Sequence, residues 1–216
     1  VPRTPTPIPP TPTFVPPPTP KSDEGNSTGA PQPLKTLYIN IAPDDFAQIE
    51  AKRQEALQHW ILLTSGADFV DATLHTGQGP VIPVELRLKG DWGDHYVGDK
   101  WSFRIETQGD HHLWGMAVFS LQDPGTRAYL NEWLFMAHLR AEEVLSVRYH
   151  FVHVVQNGEY KGIYALEEGF SKELFESLQR REGVIIRYDE NLVWAYRVAY
   201  ANDELVPRGV NEFHLI

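Results

Sequence analysis

Cysteine is absent from all 216 residues, which excludes both a disulfide framework and a Cys-ligated zinc site. No apolar run approaches the roughly 20 residues that a membrane-spanning helix needs. Positive charge is scarce: 19 Lys+Arg stand against 29 Asp+Glu, a formal net charge of −10. So acidic a chain lacks the basic surface that nucleic-acid phosphates require, which argues against nucleic acid as a partner. The chain starts at Val1 with neither a methionine nor a signal-peptide pattern, as expected of a processed form or a fragment.

Large apolar residues are also rare in the first 33 positions, VPRTPTPIPPTPTFVPPPTPKSDEGNSTGAPQP, which hold most of the 17 prolines. Such a segment cannot bury enough surface to offset the entropy of ordering, and residues 1–33 read as an extended, polyproline-like linker. Residues 34–216 suffice for one domain with a real core. Pro/Thr tracts of this kind tether domains to cell surfaces. The expected localisation is therefore secreted or surface-attached, with a membrane or envelope tether upstream of residue 1. The sequon Asn26-Ser27-Thr28 matters only in a glycosylating host.

Apolar alternation then marks strands at 34–42, 68–76, 81–90, 100–107 and 115–122. A helix is expected to follow Pro43, with Asp44 and Asp45 suiting its start. A second is expected from Asp123-Pro124 to about Val144, packed on the sheet through Leu130, Trp133, Leu134, Ala137, Ala141 and Val144. Asn157-Gly158 predicts a hairpin over 148–168, Ser171 a helix cap, and GVIIRYDE (183–190) a last strand. The fold class is α+β, a mainly antiparallel sheet with packed helices.

The stretch VELRLKGDWGDHYVGDKWSFRI (84–105) concentrates cations in an acidic chain. Strand alternation turns Val84, Leu86 and Leu88 one way and Arg87 and Lys89 the other; Lys100, Ser102 and Arg104 likewise oppose Trp101, Phe103 and Ile105. If the strands pair through the loop 90–99, all four cations share one side. Two such charges ~7 Å apart repel by about 0.6 kcal/mol in water and about 2.4 kcal/mol at an effective dielectric of 20. A wet face tolerates that; a cleft calls for an anion. The plainer alternative is a solvated face, in which pairing Lys89 with Lys100 sets Glu85 opposite Arg104. Gly90, Gly93 and Gly98 would let backbone N–H groups approach a phosphate, although loop Asp and Gly residues are usually turn chemistry.

Four stretches in this order, RLKGDWGDHYVGDKWSFRI, LWGMAVFSLQDPGTRAYLNEWLF, RYHFVHVVQNGEYKGIYALEEGFSKELF and EGVIIRYDE, resemble the spore-coat-protein-H (CotH) kinase family over about Leu34 to Glu190. That resemblance implies the N-terminal part of an atypical protein-kinase-like fold, with ATP and Mg²⁺ as cofactors and Ser/Thr-rich secreted or surface proteins as substrates. It assigns Arg87, Lys89, Gly90, Lys100, Ser102 and Arg104 to nucleotide binding. A kinase also needs an acid to orient its phosphate-binding cation. Counting back from Asn157-Gly158 as a two-residue loop sets Arg148 opposite Glu167 and leaves Glu168 without a partner. Glu168 also matches the family's motif glutamate, which makes it the expected orienting acid of the catalytic site. The family's Mg-binding aspartates lie in a C-terminal lobe beyond the strand resembling GVIIRYDE, so Asp189 and Asp203 come too early for that role. The chain accordingly reads as a nucleotide-binding part.

The competing class is a non-catalytic surface module binding an anionic polymer or glycan; Trp92, Tyr96, Trp101 and Trp114 suit a sugar platform, although such aromatics are more often core or loop anchors, and Trp101 on the apolar face reads as core.

Overall fold

Seven segments with apolar side chains at alternate positions form one sheet in the computed structural model, which describes residues 33–77, 79–181, 183–202 and 213–215. The linker expected over 1–33 therefore lies outside the described residues except for Pro33, and so does Asp203. The strands are β1 (Lys35–Ile41), β2 (Val70–His75), β3 (Ile82–Leu88), β4 (Phe103–Thr107), β5 (Val118–Gln122), β6 (Tyr149–Gln156) and β7 (Glu159–Glu168). Their order β1-β2-β3-β4-β5-β7-β6 closes on itself as a barrel. Six of the seven neighbouring pairs are antiparallel; β1 and β6, which complete the ring, run parallel. The fold is thus mixed α/β, and barrel closure is a feature that the alternation pattern does not reveal. Closure removes the free sheet edges that would otherwise invite pairing with another chain.

One face of every strand supplies the core: Leu37 and Ile39 from β1, Leu86 and Leu88 from β3, Phe103 and Ile105 from β4, Leu166 from β7. Helix α1 (Pro43–His59) starts as expected, with proline in its first turn and Asp44 and Asp45 beside the N-terminal N–H groups. It buries Ile49 and Ala56 and leans on β2 and β3.

The second helix departs from expectation. Asp123-Pro124 caps only a 3-10 turn, Pro124–Arg127, and Ala128 and Tyr129 then take left-handed backbone angles (φ 49° and 61°). That break ends the first helical segment and re-aims the next. Helix α2 (Asn131–Ala141) buries none of its side chains, and Leu130, Trp133, Leu134 and Val144 are exposed instead of packed on the sheet. A short helix α3 (Lys172–Ser177) follows Ser171, which makes no side-chain cap bond. The strand expected at 183–190 shortens to β8 (Ile186–Tyr188), which pairs with β9 (Phe213–Leu215) in a separate two-stranded sheet. Between them lies helix α4 (Asn191–Ala201). No helix among the described residues is long and apolar enough to cross a membrane.

The β6–β7 hairpin turns at Asn157-Gly158 as expected, with both residues at positive φ and Gln156 opposite Glu159. Its register then slips. Val155 faces Tyr160 but Val154 faces Gly162, so Lys161 is an extra residue in a bulge, and Gly162 takes φ +95°. Every later pair moves by one: Tyr149 faces Glu167, and Arg148 meets Glu168. The simple count that placed Arg148 opposite Glu167 is overturned by this single residue. Glu168 is not partnerless; its carboxylate accepts Arg148 Nε at 2.7 Å, Nη2 at 2.5 Å and the Arg148 backbone N–H at 3.2 Å. The same guanidinium donates to the carbonyls of Trp114 and Gly115, both at 3.0 Å, pinning that loop to the hairpin.

The Glu168 side chain has no exposed surface, so removing its cation leaves a buried charge uncompensated. Arg148→Ala is expected to lower the unfolding free energy by about 3 kcal/mol, read as a shifted urea midpoint. A loss below about 1 kcal/mol would mean that the pair does not hold the hairpin.

Candidate functional site

The register of β3 and β4 decides what the cations face. Arg87 lies directly opposite Arg104, and Glu85 opposite Glu106, so like charges oppose like and the neutralising Glu85–Arg104 apposition does not occur. The ladder continues across three more strands on that face: Arg104 beside Ser120, Ser120 beside Glu167, Glu167 beside Tyr149. One transverse row therefore runs Arg87, Arg104, Ser120, Glu167, Tyr149, with Lys89 and Gln122 one step along.

Arg87, Lys89, Gly90 and Arg104 line a cleft of about 580 Å³. Its other wall comes from Ser65 and Phe69, which follow α1, and from Asp189, Glu190 and Trp194 at the β8–α4 junction. Each cation is held. Lys89 Nζ donates to Glu167 Oε2 at 2.8 Å, Arg104 Nε to Glu106 Oε1 at 2.8 Å, and Arg87 Nη1 to the Leu88 carbonyl at 2.9 Å. The Arg87 guanidinium also lies over the Phe69 ring at 5.2 Å. The cleft is not purely cationic, for Asp91 and Glu106 line it too. Burial raises the Asp91 carboxyl above its ordinary range, and the nearby Glu190 raises it further, while Arg127, Lys89 and Arg87 oppose the shift.

The other residues assigned to the site lie elsewhere. Lys100 precedes β4 and points toward the hairpin bulge: its Nζ donates to the Ile163 carbonyl at 3.2 Å and sits 3.7 Å from Asp123. Ser102 is fully buried, its hydroxyl 3.0 Å from His95 Nδ1. Glu168 is turned to the core face by the bulge, and Glu167 is the acid on the lysine. None of the three lines the cleft. The signal for the bulge was present in sequence, as the lone glycine inside the strand pattern EYKGIY.

The glycines act differently from expectation as well. Gly90 (φ +105°) is required because a Cβ would collide with the His95 ring, and Gly93 because one would collide with the Trp60 ring. The loop is thus folded over its own His95, buried beneath it. Two residues that sequence reasoning missed complete the surroundings. Gln122, fully buried on β5, donates from Nε2 to Glu132 Oε2 at 3.1 Å and accepts from Lys89 Nζ at 3.4 Å. Glu132 stands in the first turn of α2.

Among the described residues no group of three acidic or histidine side chains is placed to hold a metal ion, so the Mg²⁺ implied by the resemblance finds no ligand set here. The four aromatics expected to form a platform are separately engaged. Tyr96 is buried, Trp101 stacks on Phe46, Trp92 meets Trp194 edge-on, and Trp114 lies under Lys35. No protein-family model matches the chain, and no curated protein matches it.

Burial pushes the His95 imidazole below its ordinary value; Asp94 opposes the shift, and Arg127 and Lys89 add to it. A folded value below the unfolded one, about 6.5, gives stability that is complete above that pH and lost as pH falls through the folded value. His95→Gln is expected to flatten the fall in melting temperature between about pH 7 and pH 5. His150, also lowered chiefly by burial, should contribute its own part, leaving a residual slope. An unchanged slope in His95→Gln would show that the loop histidine is not the sensitive group.

Proposed function

We propose that this chain is the nucleotide-binding part of a CotH-like atypical protein kinase, acting on Ser/Thr-rich secreted or surface proteins. On this reading the barrel is the N-terminal part of a kinase-like fold, and the cleft takes the phosphates of ATP. One observation carries it: Arg87 and Arg104 are directly opposed over a cleft, with Lys89 beside them fixed by Glu167. Like charges at directly opposed positions destabilise a sheet, and a polyphosphate between them would turn that cost into affinity.

The chemistry follows from charge. Phosphoryl transfer depends on positioning and on neutralising charge spread over equatorial oxygens. Arg87 and Arg104 present planar donors suited to bidentate contact with phosphate oxygens. Lys89 supplies a compact point charge, and its 2.8 Å bond to Glu167 holds the ammonium at a defined place. Glu167 thereby takes the orienting role expected of Glu168. Phe69 and Trp194 offer apolar surface for a base at the cleft wall.

The alternative, an anionic polymer or glycan on an open surface, gains less support. The cations line a cleft, and none of Trp92, Tyr96, Trp101 and Trp114 lines it with them.

Calorimetric titration of the chain with ATP tests the reading. Lys89→Ala with Arg104→Ala is expected to weaken binding at least tenfold, about 1.4 kcal/mol, whereas Lys100→Ala, outside the cleft, should leave affinity within about twofold. Equal affinity for wild type and the double variant would defeat the assignment. Displacement of ATP by a polysaccharide sulfate at equal charge would favour the polymer reading.

A further inference from the structure

Glu132 lies outside the cleft lining, yet it is bonded to the group that holds Lys89. The link is the Gln122 amide. Its nitrogen donates to Glu132 Oε2 at 3.1 Å and reaches Glu167 Oε2 at 3.5 Å, while its oxygen accepts from Lys89 Nζ at 3.4 Å. Only one orientation of the amide fits, because two carboxylates require a donor and an ammonium requires an acceptor. Glu132 Oε2 is fixed from two more sides, by the Tyr149 hydroxyl of β6 at 3.3 Å and by Arg127 Nε at 3.7 Å.

We propose that Glu132 is a positioning residue for Lys89, acting through Gln122 and Glu167, so that the seating of α2 sets the place of the phosphate-facing ammonium. The charged and titratable groups around Glu132 are Glu167 from β7, Arg127 from the 3-10 turn, Lys89 from the end of β3 and Tyr149 from β6. Burial, and then the charge of Glu167, raises the Glu132 carboxyl above its ordinary range. The two acids thus repel, and the buried amide and the two cations are what keep them together. Helix α2 buries no side chain, and the polar bonds of Glu132 tie its first turn to β5 and β6. Pulling that turn away frees one end of the Gln122 amide and leaves Lys89 with Glu167 alone.

The functional meaning rests on the nucleotide reading, but the coupling itself can be measured without a nucleotide. Lysine amines of the full chain are acetylated with acetic anhydride at fixed pH, and the rate at each lysine is read by mass spectrometry. Lys52 is the control, since it is also ion-paired and its side chain is 20 % exposed against 27 % for Lys89. Glu132→Ala is expected to speed labelling of Lys89 about fivefold while Lys52 changes less than about twofold. Glu132→Gln, which keeps an oxygen for the Gln122 amide, should label like wild type. An unchanged Lys89 rate in Glu132→Ala, or an acceleration shared by Lys52, overturns the proposal. ATP calorimetry on the same proteins separates the two ideas, for a wild-type chain that binds no ATP sinks the nucleotide reading while the labelling still decides the coupling.

Discussion

A guanidinium directly across a β-ladder from another guanidinium is a costly arrangement, and the rest of the site is organised around it. Arg87 and Arg104 occupy opposed positions in the register that pairs Leu86 with Ile105 and Leu88 with Phe103 in the core, and a one-residue slip would turn those apolar side chains out of it. Core burial thus fixes a charge pattern that electrostatics alone would avoid. The cost is contained by local bonds, Arg104 to Glu106 within its own strand and Arg87 to a backbone carbonyl and the Phe69 ring. Those bonds hold each guanidinium in place.

The next layer is the buried polar cluster beside the row. Lys89, Gln122, Glu132, Glu167 and Tyr149 come from three strands, one helix and the residue that follows β3, so no local stretch of chain could bring them together. Burial makes this cluster sensitive, since a hydrogen bond shielded from water is strong and an unmade one is expensive. Burial and the neighbouring acids push the Tyr149 hydroxyl up to about 12, which keeps it a donor to Glu132 across the physiological range. The β6–β7 pairing sets Tyr149 beside Glu167 and within reach of Glu132 in α2.

Much of this was legible in the sequence, and the failures have definite causes. Alternation located five of the barrel strands, and Asn157-Gly158 located the hairpin that supplies the other two, because both signals are local. Gathering Arg87, Lys89 and Arg104 on one face needed only period-two geometry. Lys100 and Ser102 escaped that logic because regular pairing begins at Phe103, so neither belongs to the strand whose alternation was applied to them. Helix α2 was misplaced since periodicity shows that a face is apolar but not what covers it, and two left-handed residues re-aimed it. Gln122 and Glu132 were invisible for another reason: a polar residue in a strand and an acid in a first turn are both ordinary until tertiary structure buries them together.

The bulge at Lys161 divides the hairpin into two mechanically separate halves. Outboard of Gly162 the chain obeys the turn; inboard it obeys the core, and the surplus residue absorbs the mismatch between them. A change of length near the tip has a place to be taken up before it reaches Glu167. The cost of such a change would fall on the barrel seam instead, because Asn157 at the tip accepts from the Ile41 N–H at 2.7 Å through Oδ1 and donates its own N–H to the Ile39 carbonyl at 2.8 Å.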